Sequence, residues 1–369
     1  MKTEQQLRVL AIGPHRFISA NGFTGDATQM IKTVEKLKNI KTMQLDCAFY
    51  TPDELKLSNG HIIKWEDLHK HYDLVHLFTL LPRELAHVGQ HLNHIPVVLS
   101  TVYWNYLFKD LIVIRNGGNF RRILISIRDL IYRMLFLKNN AYYSWISCIL
   151  PNSWSEGACF ERYYRLKKNT ICIPVPNSIE VPEYLDKLNR PDYLPQGDYI
   201  VCAGAFALLK NQLTLIKAMR NSNIPIVFMG KPYSHTHDYY KKCLSLAPPN
   251  MHFIGFKKDK EYWAVLKFAK VAVLPSGWET TGIALLEAAA CGARPVTTIH
   301  GGGKEYFGIS AEYHNPFSQS SIRTAILRAW ERGRLSPSES TSFLRFSWEW
   351  TAQATYNAYQ LILNKFKMQ

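Results

Sequence analysis

The sequence predicts an α/β protein of two tandem domains, each a parallel sheet with helices on both faces. Three observations predict it. Short apolar runs rich in β-branched residues alternate with stretches of helical periodicity. That alternation stops in a charged, proline-bearing stretch at 181–198 and then restarts. The length of 369 residues is too great for one typical domain and comfortable for two.

In chain order, Leu7–Ile12 (LRVLAI) reads as a buried strand closed by Gly13-Pro14. Residues 21–26 (NGFTGD) form a glycine-bearing loop, and Ala27–Leu37 has helical spacing. Met43–Tyr50, Leu74–Phe78, Pro96–Thr101, Cys148–Leu150 and Thr170–Ile173 read as further strands. After the linker, Tyr199–Gly204 is a strand, Gln212–Arg220 a helix and Ile224–Met229 a strand. His252–Ile254, Val271–Leu274 and Pro295–Thr298 are strands, with helices over 260–269 and 282–291. Ser347–Phe366 is a long amphipathic helix. No low-complexity tract interrupts the pattern.

Composition narrows the function classes. Hydrophobic residues make up 47% and charged residues 20%, the balance of a globular chain rather than a disordered one. No apolar run is long enough for a transmembrane helix. The polar start, Met1–Arg8, lacks the apolar core of a signal peptide, which predicts cytoplasmic residence. The seven cysteines include no CxxC pair and sit mostly in apolar runs, as reduced core residues do. The thirteen histidines show no ligand spacing, so no metal site is expected. The net charge of +15 suits an anionic partner: nucleic acid, anionic lipid or a phosphorylated substrate.

The densest signal is the run Pro275–Gly292 (PSGWETTGIALLEAAACG). A strand ends at Leu274, a loop carries Glu279, and a helix starts near Gly282. Ligands of open α/β sheets bind at the carboxyl ends of strands, where this loop lies. The helix start offers backbone N–H groups and a partial positive charge, which suits a diphosphate. Glu287 stands in an apolar stretch, where a carboxylate is costly to bury without partners, and a ribose diol would supply them.

This run resembles the signature of glycosyltransferase family 4, the group 1 glycosyl transferases: a glutamate, seven residues, a second glutamate, and a small-residue helix ending in Cys-Gly. The resemblance continues in Pro151-Asn152-Ser153, in 173–180 (IPVPNSIE), in Tyr199–Gly204 followed by Lys210-Asn211-Gln212, and in His252–Gly255. Gly301–Gly308 and Ser347-Trp348-Glu349 extend it. It is strong from about residue 148 onward and weak before.

The resemblance implies the GT-B fold, two Rossmann-like domains facing across a cleft. It assigns 1–180 to an acceptor-side domain, 181–346 to a nucleotide-sugar-binding domain, and 347–369 to a helix crossing back to the first. It implies a retaining, metal-independent hexosyl transfer from a UDP- or GDP-sugar to a saccharide or lipid-linked acceptor, in bacterial surface-polysaccharide assembly such as lipopolysaccharide or capsule. The nucleotide sugar is then a substrate, and no cofactor is expected. Carried over by position, Lys210 binds the diphosphate, Glu287 the ribose and Glu279 the transferred sugar. Gly282, Ile283 and Thr281 meet the phosphates or sugar, and Phe256 and Lys257 border the base. Gly22 approaches from the first domain.

Two positions depart from the family. Its Gly-Arg after the first C-domain strand is Gly204-Ala205 here, leaving Lys231, Lys257 and Lys304 as cations that could stand in. Its first-domain histidine is replaced by Tyr103, the candidate catalytic group on the acceptor side. His76 sits at a strand end, where a structural and a catalytic role are equally open.

Residues 119–138 (NFRRILISIRDLIYRMLFLK) carry apolar residues at helical spacing and Arg121, Arg122, Arg128 and Arg133 between them. Such a helix lies on anionic lipid or packs on the first sheet with its arginines in water. The family resemblance favours lipid, and with it peripheral attachment to the inner face of the plasma membrane. A dinucleotide-dependent oxidoreductase is disfavoured, since Gly13-Pro14-His15-Arg16 is not GxGxxG. A nucleic-acid binder would explain the charge but not the Glu279–Gly292 run, so no nucleic-acid partner is expected. A nucleotide-sugar epimerase of the same fold is the closest alternative enzyme.

Overall fold

A computed structural model describes residues 6–15, 25–80, 82–92, 94–103, 111–112, 114, 124–125, 127–128, 131, 143–164, 166 and 169–367. The chain divides into two compact units, residues 1–103, 135–178 and 346–369 in one and 104–134 and 179–345 in the other.

The first unit holds strands β1 (Leu7–Gly13), β2 (Met43–Phe49), β5 (Leu74–Phe78), β6 (Val97–Ser100), β7 (Cys148–Leu150) and β8 (Ile171–Cys172) in one parallel sheet, ordered β2-β1-β5-β6-β7-β8. A short antiparallel pair, β3 (Glu54–Lys56) and β4 (Ile62–Lys64), stands beside it. That hairpin is absent from the sequence reading because three-residue strands show no period. Its signal was Ser58-Asn59-Gly60, where Gly60 takes a φ of +90°. Helix α1 (Gly25–Leu37) and the C-terminal helix (Trp348–Lys367) pack together over the sheet. Ala352, Ala358, Tyr359 and Ile362 of the latter join Val9, Leu74 and Val98 in one core, where each fully buried valine, leucine or isoleucine contributes about 1.5–3 kcal/mol.

The second unit repeats the architecture with β9 (Ile200–Ala203), β10 (Ile226–Met229), β11 (Met251–Gly255), β12 (Val271–Val273), β13 (Arg294–Thr298) and β14 (Glu312–His314). All its pairings are parallel, in the order β11-β10-β9-β12-β13-β14. Strands β9, β10, β12 and β13 are buried along their whole length, as strands covered on both faces must be. The linker stretch runs through one 3-10 turn, Leu185–Lys187, before β9.

Described residues 124, 125, 127, 128 and 131 of the basic stretch are helical, and the rest of 119–138 lies outside the described residues. Leu124, Ile125, Ile127 and Ile131 are all exposed, so the apolar positions described there do not pack on a sheet. Among the described residues, no helix is long and apolar enough to cross a membrane.

Candidate active site

In the second sheet the strand order turns back between β9 and β12, the place where open α/β sheets form a ligand crevice. Both key loops leave the sheet there. After β9 the chain makes a 3-10 turn, Leu208–Lys210, stopped by Asn211 in the left-handed region at φ 59°. Asparagine tolerates that conformation, and its buried amide Nδ2 donates to the carbonyls of Pro275 (3.0 Å) and Pro316 (2.9 Å). The Lys210 turn is thereby tied to the loop that follows β12.

That loop carries Glu279. Lys210 Nζ lies 2.9 Å from Glu279 Oε2, with the lysine side chain 25% exposed and the glutamate 6%. The Glu279 backbone is clamped as well: its N–H donates to His300 O (3.3 Å) and its carbonyl accepts from Gly302 N–H (3.0 Å). Gly301 takes a φ of +99°, and a Cβ there would stand 2.0 Å from Glu279 O. The segment from His300 to Gly302 therefore holds the glutamate.

Three residues after Glu279, Gly282, at φ +75°, turns the chain into helix α4 (Ile283–Ala290), which α2 (Trp154–Tyr163) and α3 (Gln212–Met219) precede in the chain. A Cβ on Gly282 would meet Leu274 Cδ1 at 2.8 Å. Leu285 and Leu286 N–H donate to Gly282 O at 2.8 and 3.0 Å, and the N-terminal end of the helix adds a partial positive charge beside Glu279. The Thr281 hydroxyl donates to Tyr306 Oη at 3.1 Å and is buried.

Glu287 lies on α4 and is half-buried. Burial pushes its carboxyl up to about 7, opposed by a hydrogen bond from Tyr262 Oη to Glu287 Oε2. Phe256 is 40% exposed, with Lys231 Nζ at 5.5 Å and Lys258 Nζ at 6.0 Å from its ring centre. Lys257 is engaged elsewhere, 2.9 Å from Glu261 Oε1 and over the Tyr193 ring at 4.4 Å. Lys304 stands over Tyr313 at 5.9 Å. Of the three lysines considered beside Ala205, Lys231 is the adjacent one, its carbonyl accepting from Phe206 N–H at 3.1 Å.

The first unit places its candidates differently. Gly22 lies outside the described residues. Tyr103 is 6% exposed, its ring edge-on to Phe160 (5.7 Å) and Tyr164 (5.8 Å), which is a packing position. His76 is fully buried, with Nδ1 2.6 Å from Tyr359 Oη and Nε2 2.9 Å from Ser100 Oγ. Burial lowers it to about 3, so the ring is neutral at neutral pH.

Sequence reading missed Glu156. Its buried carboxylate accepts from Thr101 Oγ1 (2.6 Å), Tyr103 N–H (2.7 Å), Asn152 N–H (3.0 Å) and Asn152 Nδ2 (3.1 Å), joining the ends of β6 and β7. The signal was Ser153-x-x-Glu156, a helix-start pattern, and Ser153 does cap α2 by accepting from Glu156 N–H. Among the described residues no group of three or more His, Cys, Asp or Glu side chains is placed to hold a metal ion.

Residues 189–314 match the family model described as glycosyl transferases group 1. The chain is 25% identical over 271 residues to D-rhamnosyltransferase WbpZ of Pseudomonas aeruginosa; the match spans 68% of this chain and 66% of that protein, just under two thirds of its length. Among solved structures, sucrose-phosphate synthase from Thermosynechococcus elongatus is similar with a TM-score of 0.67 at 16% identity, over 98% of this chain and 100% of that one. HepE of Anabaena in complex with UDP and glucose is similar with a TM-score of 0.64 at 13% identity, over 96% and 100%. The chain thus has an α/β GT-B fold, and over residues 189–314 it carries the region described as glycosyl transferases group 1.

Proposed function

We propose that the protein transfers a sugar from a nucleoside-diphosphate sugar, UDP- or GDP-linked, to a hydroxyl of a saccharide or lipid-linked acceptor, with retention at the anomeric carbon. The observation that carries this reading is the Lys210–Glu279 pair at the turning point of the second sheet, next to the start of α4. A departing diphosphate gains negative charge as the glycosyl bond breaks. Lys210 and the N–H groups at Gly282 and Ile283 supply fixed positive charge there, without reorganisation at the moment of reaction. Glu279, held by Gly301 and Gly302, contacts the sugar, whose transition state is oxocarbenium-like. Glu287 receives the ribose hydroxyls, and Phe256 borders the base. The UDP and glucose bound by HepE, and the rhamnosyl transfer in the name of WbpZ, support the sugar-transfer reading.

Titration with UDP and with GDP tests the site. Glu287→Ala should weaken the nucleotide that binds by about 1.5–3 kcal/mol, the worth of hydrogen bonds to a charged group. An unchanged affinity in a folded variant rules out the ribose role. A panel of nucleotide sugars, with free sugar and transferred product measured together, identifies the donor.

A further inference from the structure

We propose that Tyr262 is a positioning residue for the donor nucleoside: its hydroxyl holds Glu287 Oε2 so that Oε1 is left to accept from the ribose diol. The inference rests on the ribose reading of Glu287 and adds a residue to it. Tyr262 lies on the helix Asp259–Lys267, which packs against α4, and its hydroxyl donates to Glu287 Oε2. Oε1 accepts no hydrogen bond from the described residues. A carboxylate has lone pairs for several donors, so a tyrosine on one oxygen leaves the other for the ligand and fixes where it points.

The same contact governs the charge of the site. Burial works against ionised Glu287, and the Tyr262 hydrogen bond favours it. Tyr262 itself is pushed far up by burial and by Glu287, so it remains a donor throughout the neutral range. The other titratable group against Glu287 is Cys291 at the end of α4, with Lys267 and Arg334 beyond it; Arg334 Nη2 donates to Cys291 O at 2.6 Å. On the other side of α4, Glu339 turns to Ser336 and Arg294. No fixed cation among these touches the Glu287 carboxylate, which leaves the tyrosine as the group that favours its charge.

Calorimetric titration of wild type with UDP and GDP from about pH 5.5 to about pH 8.5 reads the pair. A diol binds the ionised carboxylate better, so affinity should rise with pH through about 7, where Glu287 titrates. Tyr262→Phe keeps the ring and removes the donor. It should move that rise up by about one pH unit and weaken binding about tenfold at neutral pH. In a Glu287→Gln background only the second ionisation of the nucleotide's terminal phosphate, at about 6, should remain in the profile; the further rise through about 7 should be gone, and Tyr262→Phe should change nothing further. A Tyr262→Phe profile that superimposes on wild type, or an equal loss in both backgrounds, overturns the proposal and leaves a packing role for the ring. In that event a Glu287→Gln profile that has lost the rise through about 7 shows the ribose reading still standing. If Glu287→Gln binds as wild type does, or if neither nucleotide binds wild type, both readings fall together.

Discussion

The Lys210–Glu279 pair is unequal in burial, and the inequality sets what each substitution costs. Lys210→Ala strands a carboxylate whose side chain is 6% exposed, without a cation. Breaking a fully buried pair from one side costs about 3–5 kcal/mol. The lysine side chain is 25% exposed, so water reaches part of this pair, and the expected loss is about 2–3 kcal/mol. Glu279→Gln removes the charge, keeps an oxygen, and leaves a lysine whose flexible stem can carry its ammonium toward water; about 1 kcal/mol is expected. In a unit of this size each kcal/mol lowers the melting midpoint by roughly 2–4 °C. The lysine variant should therefore melt roughly 4–12 °C below wild type, and the glutamine variant about 2–4 °C below. A Lys210→Met, Glu279→Gln double variant should recover most of the loss, because it buries no uncompensated charge.

Calorimetric melting with urea titration at neutral pH measures all three variants. If Glu279→Gln costs as much as Lys210→Ala, or the double variant is no better than the lysine variant, the reasoning from burial is wrong. Under the proposed reaction the same proteins separate in function. Lys210→Ala should lose both nucleotide affinity and turnover, since its contact strengthens as the leaving group gains charge. Glu279→Gln should keep affinity for the free nucleotide and lose transfer; full transfer in that variant would refute the placement of the reacting sugar.

Two further outcomes follow from the geometry. Gly301→Ala places a Cβ 2.0 Å from Glu279 O on a backbone at φ +99°; we expect about 1–3 kcal/mol of lost stability from the strain and a fall in transfer, and wild-type melting and activity would contradict the clamp. The exposed Leu124, Ile127 and Ile131 beside Arg128 lead us to expect binding to anionic vesicles at low salt, reduced when Arg121, Arg122 and Arg128 become glutamine; wild type that stays unbound sinks the lipid contact.

Most of the fold was legible because parallel strands covered on both faces must be apolar throughout and because helices between them carry their own period. The strands β1, β5, β7 and β9 stand within a residue or so of where their apolar runs end. The pair β3–β4 and the strand β14 were not legible, since three residues carry no periodicity. Glu279, Glu287, Lys210 and Gly282 could be singled out as candidates from the chain because the short runs around them resemble the motifs of a known family, and such runs are local in sequence. What joins them is not local. Lys210 and Glu279 are 69 residues apart and meet because β9 and β12 are neighbours in the sheet. Gly301 holds Glu279, and Tyr262 reaches Glu287, only through packing between separate elements. His76 and Tyr103 show the converse: sequence placed both at strand ends, where a reactive role was open, and burial against Tyr359, Ser100, Phe160 and Tyr164 made them part of the packing. Residue types and short spacings are written in the chain; which polar group finds a partner and which stays available to a ligand depends on contacts between distant segments, and those exist only once the two sheets have formed.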